Sequence, residues 1–151
     1  MNAVRVEDIQ DVILDLRGQQ VLVDADVAKL YGVETKDVNR AVSNNLDKFP
    51  DGYIFELSEE EKSEVVKNFN HLESLKFSPH LPKAFTEKGL YMLATILKSK
   101  QATLTTLMII ETFSKIRELA RTVKALSVVK DDAEQKDLMQ RSGELIAQVA
   151  A

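Results

Sequence analysis

Between Asp11 and Asp24 the stretch "DVILDLRGQQVLVD" alternates apolar and polar residues on both sides of a glycine-bearing turn. Val12, Leu14 and Leu16 lie on one arm and Val21 and Val23 on the other, a period of two that predicts a β-hairpin. The period then changes. Asp24 or Asp26 can cap a helix whose apolar face is Val27, Ala28, Leu30 and Tyr31, and Gly32 suits a left-handed helix end. A second helix is predicted directly after it, with Thr35 as N-cap and Val38, Ala41, Val42 and Leu46 at helical spacing. "KFPDG" stops it, because Pro50 disfavours helix at Phe49 and Asp51-Gly52 favours a turn.

Tyr53 to Leu57, "YIFEL", is a β-branched and aromatic run bounded by turn residues and predicts a third strand. Ser58 opens "SEEEKSEVVKNF", where a serine cap and first-turn acids suit the positive end of a helix dipole. "NHLESLKFSPHLPK" carries two prolines and reads as a loop with room for a short strand. Thr86 and Glu87 start an amphipathic helix with Leu90, Leu93, Ala94 and Leu97 on one face. From Ala102 to Val129 there is neither Gly nor Pro, so this is predicted to be the longest helix. Its Ile109, Phe113, Ile116, Ala120 and Val123 follow steps of four and three, which suit either packing into the domain or a seam between two chains. That register fails at Ser127, and a charged break, "KDDAEQKD", precedes a last helix bearing Leu138, Leu145, Ile146 and Val149. The sum is an α+β fold: a small antiparallel sheet with a helix-turn-helix-like pair, followed by long C-terminal helices.

The pair carries the candidate chemistry. A helix-turn-helix needs a small residue where the helices cross, a short reversing turn, and apolar positions that fix the angle. Ala28, Gly32 and the set Val27, Tyr31, Val33, Val38 and Ala41 fill those roles. The outward residues of the second helix are then Thr35, Lys36, Asn39, Arg40, Ser43 and Asn44, types suited to base edges and phosphates. Lys36 and Arg40 are the candidate phosphate or guanine contacts, and Asn39 and Asn44 the candidate base readers. All four are expected to be exposed, and replacing Lys36 or Asn39 is expected to leave folding intact. The plain alternative is a helical hairpin packed on a sheet with an incidental polar face.

Charge complicates a nucleic-acid reading, since the chain carries net −4 and a phosphate backbone rewards clustered cations. Its distribution is uneven. Residues 51–75 hold two basic against seven acidic residues, whereas residues 76–121 hold eight basic against three acidic. A dipolar molecule can present one face to DNA. Lys83, Lys88, Lys98 and Lys100 read either as a second phosphate patch or as a solvated helix surface.

The absence of cysteine excludes disulfides, thiolate metal sites and cysteine nucleophiles, and fits a cytoplasmic setting. No apolar run approaches the ~20 residues of a membrane span, so no membrane partner is expected. His71 and His80 lie nine positions apart without a completing ligand set, the glycines are scattered, and no nucleophile context exists. No catalytic residue, metal or cofactor is expected, and the chain does not read as an enzyme.

Two ordered blocks make the reading specific. The first runs from "LRGQQVLVDADVAKLYGVETKDVNRAV" to "YIFEL" and the second is "LPKAFTEKGLYMLATILKSKQATLTTLMIIETFSKIREL". Together, with "LYGVETK" and "AFTEKG" as diagnostic pieces, they resemble the KilA-N-related phage and bacterial DNA-binding domain of the ORF-six-N type (open reading frame six, N-terminal). The resemblance covers residues 9–119 and leaves 120–151 as a helical extension. It implies a small α+β domain that binds double-stranded DNA in phage antirepressors and related transcriptional regulators. This sequence departs from relatives in having Asn44 before Asn45, where a basic residue is common, and Glu111, where an arginine is common; both imply weaker phosphate contact. Reading DNA with the helix around 35–46, and pairing as a homodimer through the C-terminal helices, is one expectation. The other is a protein-interaction module whose helix-turn-helix no longer binds DNA.

Overall fold

A computed structural model describes residues 4–127 and 132–150, and within the last helix the side chains of 139–149. The fold is α+β. In chain order it contains α1 (Val6–Gln10), β1 (Leu14–Leu16), β2 (Gln19–Val23), α2 (Asp24–Tyr31), α3 (Thr35–Ser43), β3 (Ile54–Glu56), α4 (Glu59–Asn68), β4 (Lys83–Thr86), α5 (Glu87–Leu93), α6 (Lys100–Leu126) and α7 (Asp132–Ala150). Short 3-10 segments fill Leu46–Lys48 and Asn70–Phe77.

The strands form one antiparallel sheet in the order β1-β2-β4-β3. The expected hairpin is present with Leu14 opposite Val21, and its two-residue turn places both Arg17 (φ 54) and Gly18 (φ 74) in the left-handed region. That is the turn whose twist matches paired strands. Arg17 is an unfavourable residue there, and its side chain is tied down in compensation. Its Nε and Nη2 donate to the two carboxylate oxygens of Glu61 at 2.9 and 2.8 Å, and its guanidinium lies 4.1 Å from the Phe55 ring centre. The Arg17 guanidinium holds the Glu61 carboxyl down at about 2.

Alternation along β2 and β4 sends Val21, Val23 and Ala84 to one face, where they pack with Leu14, Leu57, Val65 and Leu72 under α4 and the 70–77 segment. Leu22 and Phe85, paired across the strands, point the other way and are also fully buried. Gly89, in the first turns of α5, sits against the chain at Tyr53: a Cβ there would run into the Tyr53 carbonyl oxygen. Thr86 fixes this approach. It caps α5 by accepting from Gly89 N at 3.3 Å, and its hydroxyl donates to Gly52 O at 2.8 Å.

Several expected boundaries move, each for a local reason. Val23, not Asp24 or Asp26, is the N-cap of α2, and Asp24 is its first helical residue. Glu34 rather than Thr35 caps α3, with Asp37 accepting from Glu34 N at 3.1 Å. This helix ends at Ser43, so Leu46 lies in a 3-10 turn and is exposed rather than on the apolar face. The α5 helix stops at Leu93, before Leu97, where the Thr95 hydroxyl donates to Met92 O at 2.7 Å and competes with continued helix. Ser99 caps the long helix through Ala102 N at 3.0 Å, moving its start to Lys100. Val129, its expected end, lies outside the described residues. The last helix begins at Asp132, inside the stretch expected to break it, and α1 had no counterpart among the expected elements.

The chain divides into two compact units, Ile13–Thr103 and a second built from the segment up to Val12 and from Leu104 onward. The first holds the sheet and α2 to α5. In the second, α1 packs on α7. Of the expected seam on α6, Ile109 and Phe113 are buried, Ile116 is half-buried, and Ala120 and Val123 are exposed. No described helix is long and apolar enough to cross a membrane.

Candidate nucleic-acid interface

The α2–α3 pair is held by backbone geometry at its turn and by a polar clasp at its open end. Gly32 adopts φ 71 and ψ 31, and Val33 N reaches back to Ala28 O at 3.0 Å, closing the left-handed helix end that the sequence predicts. Val27, Ala28, Leu30, Tyr31, Val38 and Val42 are buried between the helices and the rest of the unit. Val33, expected to fill the turn, is instead exposed.

The clasp joins Asp24, at the start of α2, to Asn39 on α3. Asn39 Nδ2 donates to Asp24 Oδ2 at 3.1 Å, and Asp24 is 6% exposed. Burial pushes the Asp24 carboxyl up, and bonds from the Asn39 side chain and from the Lys83 and Ala25 backbones oppose that shift. A second buried acid on the same helix, Asp26, is likewise raised by burial and opposed by His71, whose Nε2 lies 3.0 Å from Asp26 Oδ2. His71 therefore ties the 70–77 segment to α2. Neither pairing is visible in sequence spacing, since the partners are 15 and 45 positions apart.

An open cleft of about 900 Å³ runs along the outer face of α3. Thr35, Lys36, Asn39, Arg40 and Ser43 line one side; Ser78 to Lys83 form the opposite wall, with Glu56 and Glu59 beside it. Five of the six expected contact residues are thus together, and Asn44 is exposed just beyond the helix end but does not line the cleft. Of the four residues expected to be exposed, Lys36, Arg40 and Asn44 are, and Ser43 is exposed beside them. Asn39 is a correction: it is half-buried and occupied by Asp24, and its Oδ1 is buried without a partner. An amide that donates to a carboxylate cannot turn its oxygen to the same partner, so Asp24 does not satisfy this acceptor.

The cations differ in their freedom. Lys36 Nζ pairs with Glu34 at 3.1 Å, both side chains 70% exposed, a pairing worth little in water. The Arg40 guanidinium pairs with no acid among the described residues. Asp37 faces its own cap, which keeps one acid from the cleft. Lys83 lines the far wall, whereas Lys88, Lys98 and Lys100 are exposed and do not line it. The far wall is the part least visible in the sequence: Pro79 and Pro82 mark a loop without showing that it returns opposite α3. Among the described residues no group of three or more His, Asp or Glu side chains is placed to hold a metal.

No curated protein and no solved structure matches the chain. A family model does. The model of the ORF6N domain covers residues 11–96, more than half of the sequence, including β1 to α5, the α2–α3 pair, the whole cleft and both "LYGVETK" and "AFTEKG". The chain belongs to the ORF6N family.

Proposed function

We propose that this protein is a cytoplasmic, DNA-binding transcriptional regulator of the phage antirepressor type, which reads duplex DNA with the outer face of α3. The observation that carries the reading is the placement of Lys36, Arg40 and Ser43, exposed in one row on a short helix whose other face is locked to α2. In that reading Arg40, paired with no acid among the described residues, contacts a phosphate or a guanine edge. Lys36 adds a phosphate contact by exchanging Glu34 for DNA. Ser43, Thr35 and Asn44 supply short hydroxyl and amide contacts around them. Asn39 keeps one amide hydrogen and its Oδ1 for a base edge only if Oδ1 turns outward while Nδ2 holds Asp24.

A second reading is favoured by the acids Glu56 and Glu59 in the same cleft and by the net charge of −4. A protein partner with a basic segment fits these groups, and the helix pair then serves as an interaction module without DNA affinity. Selection from a random pool of duplex DNA by the full chain separates the two. Enrichment of a shared sequence supports DNA reading; no retained DNA even at low salt supports the protein partner. Two-fold readers need two copies, and a homodimer through the C-terminal helices supplies them in this proposal. Solution mass at high micromolar concentration tests that part, with a strict monomer removing it.

A further inference from the structure

Residues 51–75 carry the strongest negative balance in the chain, yet lysines gather along one groove beside α4. Glu59, Lys62, Ser63, Val66 and Lys67 follow helical spacing along one face and, with Lys76 of the 70–77 segment, line a groove. Three lysines meet Glu59 there, and Lys76 Nζ also lies 3.8 Å from the Glu73 carboxylate, an exposed pair worth little in water that a phosphate can replace. Glu60 and Glu64 are not part of it, and Glu61 is engaged by Arg17. At the end of the same 3-10 segment stands Phe77, 80% exposed, with Lys76 Nζ 4.9 Å from its ring centre. The loop that follows is firmly held: Lys62 Nζ donates to Ser78 O at 2.7 Å, Ser78 N to Leu75 O at 3.0 Å, and Pro79 and Pro82 fix its φ angles. A large aromatic ring is thus displayed on a stiff support beside the Lys76 ammonium. Glu59 lines both this groove and the α3 cleft, and the loop after Phe77 forms the cleft's far wall, so the two surfaces adjoin.

We propose that this groove is a second duplex-DNA contact, in which Lys67 and Lys76 hold phosphates and Phe77 wedges against a base step. It rests on the reading that α3 contacts DNA, and extends it to a surface no motif marks. The chemistry is complementary: a row of ammonium groups tracks a phosphate backbone, and an exposed apolar ring beside it can enter between bases and partly unstack them. Lys62 adds charge but is spent on the loop carbonyls, so its role is to hold the Phe77 support in place.

The test uses the full chain, a selected duplex and a random duplex, with 2-aminopurine placed at successive positions to report unstacking. Lys67 and Lys76 are exposed, so the double variant Lys67→Ala/Lys76→Ala should melt like the parent. It should weaken binding to both duplexes alike and lower the salt slope by about two units, one for each lost phosphate. Phe77→Ala should bind about tenfold more weakly and abolish the 2-aminopurine brightening. An unchanged slope in the lysine variant, or unchanged affinity and brightening in Phe77→Ala, overturns the proposal. If Arg40→Ala still weakens binding in that case, the α3 reading stands without the groove. A parent protein that binds no DNA at low salt removes both.

Discussion

The α2 and α3 helices are neighbours of 8 and 9 residues, yet they are built for opposite tasks. The first buries six of its residues, two of them aspartates, each carrying a bonded partner. The second buries only Val38 and Val42 and turns polar side chains into an open cleft. Sequence polarity does not explain the difference, since α2 opens on "DAD" and α3 on "TKD". What separates them is whether each polar group is already satisfied. A buried acid with partners fixes geometry, whereas an exposed guanidinium with none is free for a ligand.

The largest effect should come from removing α2's main filler. Tyr31 is 2% exposed, and Tyr31→Ala should destabilise the unit by about 3–5 kcal/mol, the range for emptying a large aromatic site, read by chemical denaturation. Next comes the clasp, which belongs to both helices. Asn39→Ala should cost about 1–3 kcal/mol because it leaves a buried carboxylate short of a donor, contrary to the expectation that this outward position tolerates change. Because Asp24 is already raised by burial, that penalty should shrink as pH falls and the carboxyl protonates. A pH-independent penalty, or none, would place Asn39 on the free side of the comparison. Gly32→Ala should cost about 1–2 kcal/mol, since its φ of 71 lies in the left-handed region that a Cβ disfavours; equal melting of variant and parent contradicts this.

These cases show what sequence could supply. The hairpin was legible because its period of two brackets Arg17-Gly18, and the end of α2 because Gly32 is the residue a left-handed position selects. The shift of the α3 cap by one residue reflects two adjacent residues, Glu34 and Thr35, that can both accept from the first turn; the Asp37 bond to Glu34 decides between them. The grouping of Thr35, Lys36, Asn39, Arg40 and Ser43 followed from helical spacing alone. Their opposite wall did not, because it returns from Ser78 to Lys83 through a loop whose path depends on Lys62 and on strand pairing. Gly89 is similar: "AFTEKG" marks it, but only the Tyr53 carbonyl explains why no Cβ fits.

A smaller effect concerns the support beneath the sheet, which, like α2, is held by a satisfied acid. Glu61 has its carboxyl pulled from the ordinary 4.5 to about 2 by Arg17, so it contributes stability that is fully present above 4.5 and is lost as pH falls through about 2. Glu61→Gln should therefore lose part of the parent's stability at neutral pH and show a shallower decline between these two values. Asp24 and Asp26, raised by burial, act in the opposite sense in both proteins, so the comparison between variant and parent isolates Glu61. Parallel curves for the two proteins would contradict the pairing.

The free side of the comparison is tested most directly by binding as a function of salt. Fluorescence anisotropy of a labelled duplex, titrated with the full chain over a range of salt concentrations, should give an association constant whose logarithm falls linearly with the logarithm of salt. Arg40→Ala should reduce that slope by about one unit and weaken binding, while its melting temperature stays that of the parent because the guanidinium supports nothing in the fold. No binding at low salt, or an Arg40→Ala protein with the parent's affinity and slope, would contradict DNA reading by α3.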